Sequence, residues 1–286
     1  QYGLDIPDRD DPHSPDYRKY AAFKSACTKA QRERLVQTVR SISPELAINN
    51  VDYIRTESAT EIGVPQWQYS ASCNARRTAG PLRLRPADNA SVDFMGFRYR
   101  DSSVSAGQLA LRQWQNLANA GSVSLYIMGH LDNHKDRTAL NASKAAFAFH
   151  KEHEALYRGL QSAAKVLLVT KPIMARSDPE VYGWVRALTE SHIPFDEVKP
   201  AELTPELLRR WDVVILGDVK QCSPQQTTML DAYAAQGGIV LASGSAPALQ
   251  CLGLERVHAK LTDCMSTVFE LGAAESALFP RSANAH

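Results

Sequence analysis

Short apolar segments alternate with amphipathic helical segments along most of this chain. The segments 122–128 and 165–170 each have the length of a strand and are almost continuously apolar. A parallel strand that is buried on both faces has this composition, because helices cover both faces of its sheet. The alternation therefore predicts an α/β protein with parallel sheets.

The alternation stops near residue 160 and then begins again, which divides the chain into two pieces. At 286 residues the chain is long enough for two hydrophobic cores. The second piece is predicted to have strands at 165–170, 195–198, 211–217 and 239–243 and helices at 179–191 and 224–236. This succession is typical of a flavodoxin-like, doubly wound domain, which we assign to residues 162–286.

The first piece, residues 1–158, has the pattern of an incomplete βα barrel. Its predicted helices are 21–42, 67–77, 105–120 and 143–157, and its predicted strands are 45–50, 51–56, 92–100 and 122–128. The segment 80–89 is rich in Pro, Arg and Asn and is predicted to be a loop. Four strands are half of what a closed (β/α)8 barrel of the TIM type contains.

Charge and cysteine content exclude several classes of protein. The formal net charge of +1 argues against a nucleic-acid partner, because such proteins concentrate Lys and Arg to neutralise phosphates. The five cysteines form no CxxC pair, which indicates a reducing, cytoplasmic compartment. No apolar run approaches the roughly 18 residues that span a bilayer, so no membrane partner is expected. A neutral small molecule is the expected partner.

Polar side chains follow the predicted strands at their carboxyl ends, where the catalytic groups of a βα barrel lie. A polyol substrate is bound by carboxylate, amide, guanidinium and imidazole groups, and aromatic rings stack on it. The candidates are Asn50, Glu57, Arg100, Asp101, His130 and Asp132, with Trp67 and Tyr69 as aromatic contacts. Glycoside hydrolysis needs two carboxyl groups, and Glu57 is the first candidate for one of them.

Most candidates also have a purely structural interpretation, and Arg100 could form an ion pair inside the barrel. Glu57 could cap the following turn, and Asp101 could cap the next helix. His130 and Asp132 could form a hydrogen bond within their loop. Trp67 is of a type that is more often part of a core.

Cofactor and metal sites are not predicted. Gly237 and Gly238 follow a helix, whereas a phosphate-binding loop follows a strand. His150, His153 and Glu154 would share one helix face as ordinary solvated groups. A nucleotide-binding role for the second domain is disfavoured because no glycine-rich loop follows Thr170.

Three segments carry a resemblance to a known family: Ala47–Ser58, Trp67–Arg76 and Gly129–Asn133. They resemble the hypothetical glycosyl hydrolase 6 group, and the whole arrangement is more distantly similar to family 42 β-galactosidases. The resemblance implies the C-terminal half of a TIM barrel, followed by a flavodoxin-like domain related to class I glutamine amidotransferases that mediates trimerisation. Glu57 matches the position of the nucleophile, and the acid/base carboxylate would lie upstream.

The sequence therefore predicts a glycoside hydrolase-like protein that acts on a carbohydrate, with the complete barrel needed for activity. A homo-oligomer, either a dimer or a trimer, is expected from the same resemblance. The alternative is a non-catalytic protein that binds carbohydrate or drives oligomer assembly. The two hypotheses differ in whether a second carboxylate lies within catalytic range of Glu57.

Overall fold

The computed structural model describes residues 15–49, 51–58, 68–80, 87–170, 179–219, 221–244, 247 and 249–252. It has two parallel sheets, which confirms the predicted α/β class. The elements of the first part are α1 (Pro15–Ile42), β1 (Ile54–Glu57), α2 (Ser70–Ala79), β2 (Ala87–Val92), α3 (Ala106–Ala118), β3 (Leu125–Tyr126), α4 (Leu140–Glu152) and α5 (Glu154–Tyr157).

The first sheet has the order β1-β2-β3, and all of its strands are parallel. Helices α2 and α3 pack on one face, where Leu109 of α3 contacts Val104, Ala139 and Leu125. Ser105, the residue before α3, caps this helix, because its hydroxyl accepts a hydrogen bond from the backbone N–H of Gln108. The structural interpretation of the sequence had given this capping role to Asp101.

Two of the predicted strands are wrong. Of the predicted strand 45–50, the described residues 45–49 contain only an isolated bridge between Asn49 and Tyr53. The predicted strand 92–100 contains only the last residue of β2, and Phe97–Tyr99 form a 3-10 helix. β2 instead occupies 87–92, half of which was predicted to be loop.

The polar composition of β2 explains why the sequence pattern missed this strand. Its central residue, Asn89, is fully buried, and its amide group donates to the Ser58 hydroxyl at 2.8 Å and to the Asn116 side-chain oxygen at 2.7 Å. Its side-chain oxygen accepts from Thr56 and Asn74, both at 3.0 Å. Hydrogen bonds from α2 and α3 thus replace the apolar contacts that usually join a strand to its helices.

Replacing Asn89 with Ala is expected to lower the free energy of unfolding by about 2 kcal/mol, because it leaves several buried polar groups without partners. Urea denaturation followed by tryptophan fluorescence measures this change. The control is Asn141→Ala on the exposed side of α4, for which we expect a change within about 0.5 kcal/mol. Equal effects of the two substitutions would contradict a stabilising role for the network.

Helix α1 contributes little to this packing. All 28 of its residues are described, and none of their side chains is buried. Its last turn is held by Arg40, which forms an ion pair with Asp52 ahead of β1. A helix in a globular protein normally gains its stability by burying an apolar face, and α1 buries none of its side chains among the described residues.

The second sheet has the order β5-β4-β6-β7, and all of its strands are parallel. Helix α6 packs on one face and helices α7 and α8 on the other. The elements are β4 (Val166–Val169), α6 (Pro179–Glu190), β5 (Phe195–Val198), α7 (Pro205–Leu208), β6 (Val213–Gly217), α8 (Pro224–Ala235) and β7 (Ile239–Ser243). Each predicted strand and helix of this part is present, with bounds that differ by at most two residues.

Helix α2 joins the two sheets through a buried ionic contact. The carboxylate of Glu197 on β5 binds Arg76 of α2 at 3.1 Å and also binds Arg77. The Arg76 guanidinium stacks over the ring of Phe195 at 4.0 Å. The Glu197 side chain is fully buried, so its charge is compensated entirely within the protein.

In the described part of the chain, none of the helices is both long and apolar enough to cross a membrane.

Candidate functional site

The carboxyl ends of β1, β2 and β3 lie at one edge of the first sheet, because the three strands are parallel. Among the described residues, helices cover one face of this sheet and none covers the other. Thr56 and Asn89 point towards the helices, since they bond to one another and to α2 and α3. By the period of two in strands, Arg55 and Glu57 point to the helix-free face, which corresponds to the interior of a barrel.

Glu57 is the last residue of β1 and is exposed. Its backbone carbonyl accepts a hydrogen bond from the Asn74 side chain at 2.7 Å, which fixes the end of the strand to α2. Among the described residues, its carboxylate has no hydrogen bond or ion pair. The end of the strand is therefore held through the backbone of Glu57, and the catalytic role of this residue stays a prediction.

A second carboxylate lies on the same face of the sheet. Asp88 of β2 is the register partner of Arg55, and the two side chains form an ion pair at 3.8 Å. Glu57 is two residues further along β1, so its Cα atom is about 8 Å from that of Asp88 by strand geometry. Glycoside hydrolysis needs two carboxyl groups, and Glu57 and Asp88 are two acids on this one face of the sheet.

Arg100 and Asp101 lie on a loop and not at the end of a strand. The loop leaves the sheet after Phe94 and returns at Ser103, where the two residues form an antiparallel bridge. Both candidates are exposed at the predicted edge of the sheet. Sequence analysis thus placed them at the correct edge but on the wrong element.

The loop after β3 carries the next two candidates. His130 and Asp132 are both exposed, and they flank a turn in which the Asn133 side-chain oxygen accepts from the His130 backbone N–H at 3.3 Å. No hydrogen bond between the His130 and Asp132 side chains is present in this described loop, so the alternative of a loop hydrogen bond is not supported.

Tyr69 is the remaining candidate that the structure describes. It precedes α2, and its hydroxyl donates to Glu190 of α6 at 2.7 Å, so it contacts the second part of the chain. The Glu190 carboxylate raises the pKa of Tyr69 through this hydrogen bond. Asn50 and Trp67 lie outside the described residues.

A buried polar cluster that sequence analysis missed lies beneath these loops. Asp93 directly follows β2, and its carboxylate accepts from the Ser103 hydroxyl at 2.5 Å. The other carboxylate oxygen is 3.6 Å from Nε2 of His134, and Arg112 of α3 is buried close by. Burial raises the pKa of Asp93, against the opposing effects of Ser103 and His134, and burial lowers the pKa of Arg112 to about 10. The one feature of the sequence that could have indicated this cluster is the acid Asp93 between the apolar residues Val92 and Phe94.

The raised pKa of Asp93 predicts a characteristic pH dependence of stability. A carboxyl group whose pKa is raised by folding stabilises the protein below its unfolded pKa, which is about 3.9, and this contribution is lost as the pH rises through the folded pKa. Asn cannot ionise, so Asp93→Asn is expected to gain stability relative to the unsubstituted protein as the pH rises from about 3.5 to 7. Thermal denaturation across this range measures the difference.

Asp136 provides a control of opposite sign in the same cluster. Hydrogen bonds from Thr138 and from the Ser103 backbone N–H lower the pKa of Asp136. Asp136→Asn is therefore expected to lose stability at pH 7 relative to the unsubstituted protein, with the loss vanishing as the pH falls through the folded pKa of Asp136. A parallel pH trend in the two variants would contradict the assignment of Asp93 as a group whose ionisation is opposed by burial.

Comparison with known proteins gives likeness at the level of fold. No family model matches the sequence, and no curated protein does. Among solved structures, the alpha-L-fucosidase isoenzyme 2 from Paenibacillus thiaminolyticus is similar over 85% of this chain, with a TM-score of 0.57 and 23% sequence identity. The GH42 beta-galactosidase Gan42B is similar over 71%, with a TM-score of 0.52 and 14% identity.

The chain spans 38% of the length of each of these two proteins. The likeness shows an α/β fold related to the TIM-like fold of glycosidases. The narrower resemblance to the hypothetical glycosyl hydrolase 6 group stays a prediction.

Proposed function

We propose that this chain is part of a glycoside hydrolase that acts on a carbohydrate, with Glu57 as one of its two catalytic carboxylates. The observation that carries the proposal is the exposed Glu57 carboxylate, at the carboxyl edge of a parallel sheet and on the face that a barrel would enclose. Two solved structures with a similar fold are named as an alpha-L-fucosidase and a beta-galactosidase, which supports a glycoside as the substrate.

We propose that residues 1–158 are the C-terminal half of a barrel and that residues 162–286 form a flavodoxin-like domain. The order β5-β4-β6-β7 agrees with the first four strands of a flavodoxin-like sheet, 2-1-3-4, and supports a flavodoxin-like second domain. We further propose that this domain mediates a homo-oligomer. The substrate contacts proposed beside Glu57 are Asn50, Trp67, Tyr69, Arg100, Asp101, His130 and Asp132.

Hydrolysis of nitrophenyl glycosides, with the α-L-fucoside and the β-D-galactoside included, tests the proposal. The chain is assayed beside a form that is extended upstream in its gene. Hydrolysis by the chain itself would favour Asp88 as the second carboxylate, and Asp88→Asn would then abolish it. Hydrolysis by the extended form alone would place the second carboxylate upstream. Sugar binding by both forms without any hydrolysis would favour the non-catalytic alternative.

A further inference from the structure

The turn after β3 presents two chemically useful side chains at the carboxyl edge of the first sheet. His130 and Asp132 are exposed, and neither side chain has a hydrogen bond or an ion pair among the described residues. Exposed loops of this kind are usually mobile. What distinguishes this turn is the number of contacts that hold its backbone.

Arg137, an exposed residue, binds the backbone of the turn. Its guanidinium donates through Nη2 to the carbonyl oxygens of Leu131 at 2.6 Å and Asp132 at 3.3 Å, and through Nε to that of His134 at 3.1 Å. A planar guanidinium holds several acceptors in one fixed arrangement, which a lysine ammonium cannot reproduce. One side chain therefore holds the carbonyl groups of Leu131, Asp132 and His134 in place.

The base of the same loop is fixed to its neighbour. His134 is buried against Asp93, and the Asp136 carboxylate accepts from the Ser103 backbone N–H at 2.9 Å. Asp136 also accepts from the Thr138 hydroxyl at 2.6 Å. These contacts tie the loop after β3 to the loop after β2, so the turn is anchored on both sides.

The chemistry of the two exposed groups fits hydroxyl groups. A carboxylate can accept hydrogen bonds from two hydroxyls at once, and a neutral imidazole has one donor and one acceptor. Because Arg137 holds the backbone of the turn, less backbone entropy is lost when a ligand binds to these two side chains.

We propose that His130 and Asp132 form a preformed site for the vicinal hydroxyl groups of a sugar ring, and that Arg137 is the positioning residue that keeps its shape. This inference rests on the proposed function, since it takes the substrate to be a carbohydrate. Arg137 acts through the backbone of the turn and does not itself contact the sugar.

The test is the binding of L-fucose and D-galactose, measured by isothermal titration calorimetry on the same form of the protein as the hydrolysis assay. Arg137→Met is expected to weaken the binding of the preferred sugar about tenfold, because the turn is no longer arranged in advance. Arg137→Lys is expected to restore little of the affinity. Arg158→Met is the matched control, since Arg158 is an exposed arginine directly after α5 whose guanidinium donates to Glu154, and its replacement should leave affinity unchanged.

A second readout separates positioning from general destabilisation. Millimolar guanidinium is expected to restore part of the affinity in an Arg137→Gly variant and none in Asp132→Asn, whose lost group contacts the sugar directly. A ligand with one of the two hydroxyls removed should bind the unsubstituted protein and the Arg137→Met variant with similar affinity.

The outcomes distinguish this inference from the proposed function. Glu57→Gln should retain sugar binding, so a failure of hydrolysis leaves the binding comparison intact. Unchanged affinity in Arg137→Met would overturn the inference while the proposed function stands. Absence of sugar binding by a form that hydrolyses a nitrophenyl glycoside would also overturn the inference alone, whereas absence of both binding and hydrolysis would overturn both.

Discussion

Replacing Glu57 with Gln is expected to lower kcat/KM for the preferred nitrophenyl glycoside by about 10³-fold or more. The amide keeps the shape of the side chain and much of its hydrogen bonding, but it cannot attack an anomeric carbon or transfer a proton. Because the Glu57 side chain is exposed, the fold should be unaffected. Steady-state kinetics and a melting curve of the same preparation measure the two quantities separately.

Glu154→Gln is the control for this substitution. Glu154 is also an exposed glutamate, but it lies on α5 and binds Arg158 at 2.7 Å. We expect its replacement to leave kcat/KM unchanged. A Glu57→Gln variant with nearly full activity would remove Glu57 from the reaction, and Asp88 would then be the first acid on this face to test.

Replacing Glu197 with Gln is expected to lower the free energy of unfolding by about 3 to 5 kcal/mol. The substitution removes the only carboxylate that the structure describes at Arg76 and Arg77, and the Arg76 guanidinium is largely buried. A buried cation without its counter-charge loses its compensation for desolvation, which accounts for the size of the effect. Urea denaturation at pH 7 measures it.

Glu190 offers a matched control at the same contact between the sheets. Its carboxylate binds Tyr69 at 2.7 Å and Arg186 at 2.9 Å, but its side chain is half exposed. Exposed ion pairs contribute roughly 0 to 1 kcal/mol, so Glu190→Gln should have a small effect. Similar losses in both variants would show that burial of Glu197 is not what makes its ion pairs important.

The second part of the chain was predictable from sequence almost to the residue. The strand 195–198 and the strand 239–243 were placed at their observed bounds. The central strand β6 has four buried residues in a row, and the helices on either side supply separate apolar clusters. Where apolar burial alone stabilises an element, its periodicity is visible in a short window of sequence.

The first part was less predictable because its sheet is joined to its helices by polar groups. Asn89 and Ser91 have no apolar signature, yet both are fully buried, since Asn116 of α3 binds each of them. The aromatic segment that resembled a strand, Phe97–Tyr99, is an exposed 3-10 helix instead. Local composition therefore predicted a strand in the wrong segment. It contains no information about which distant side chains form hydrogen bonds with a buried amide such as that of Asn89.

The sequence by itself determined the α/β class, the restart of the pattern near residue 160 and the position of Glu57 at a strand end. Only the tertiary structure decided that Asp88 shares a face with Glu57, that Asp93 is buried beside His134, and that Arg137 holds the turn around Asp132. The physical reason is distance along the chain. Helix and strand periods arise from neighbouring residues, whereas strand register and buried polar contacts depend on groups brought together only by folding.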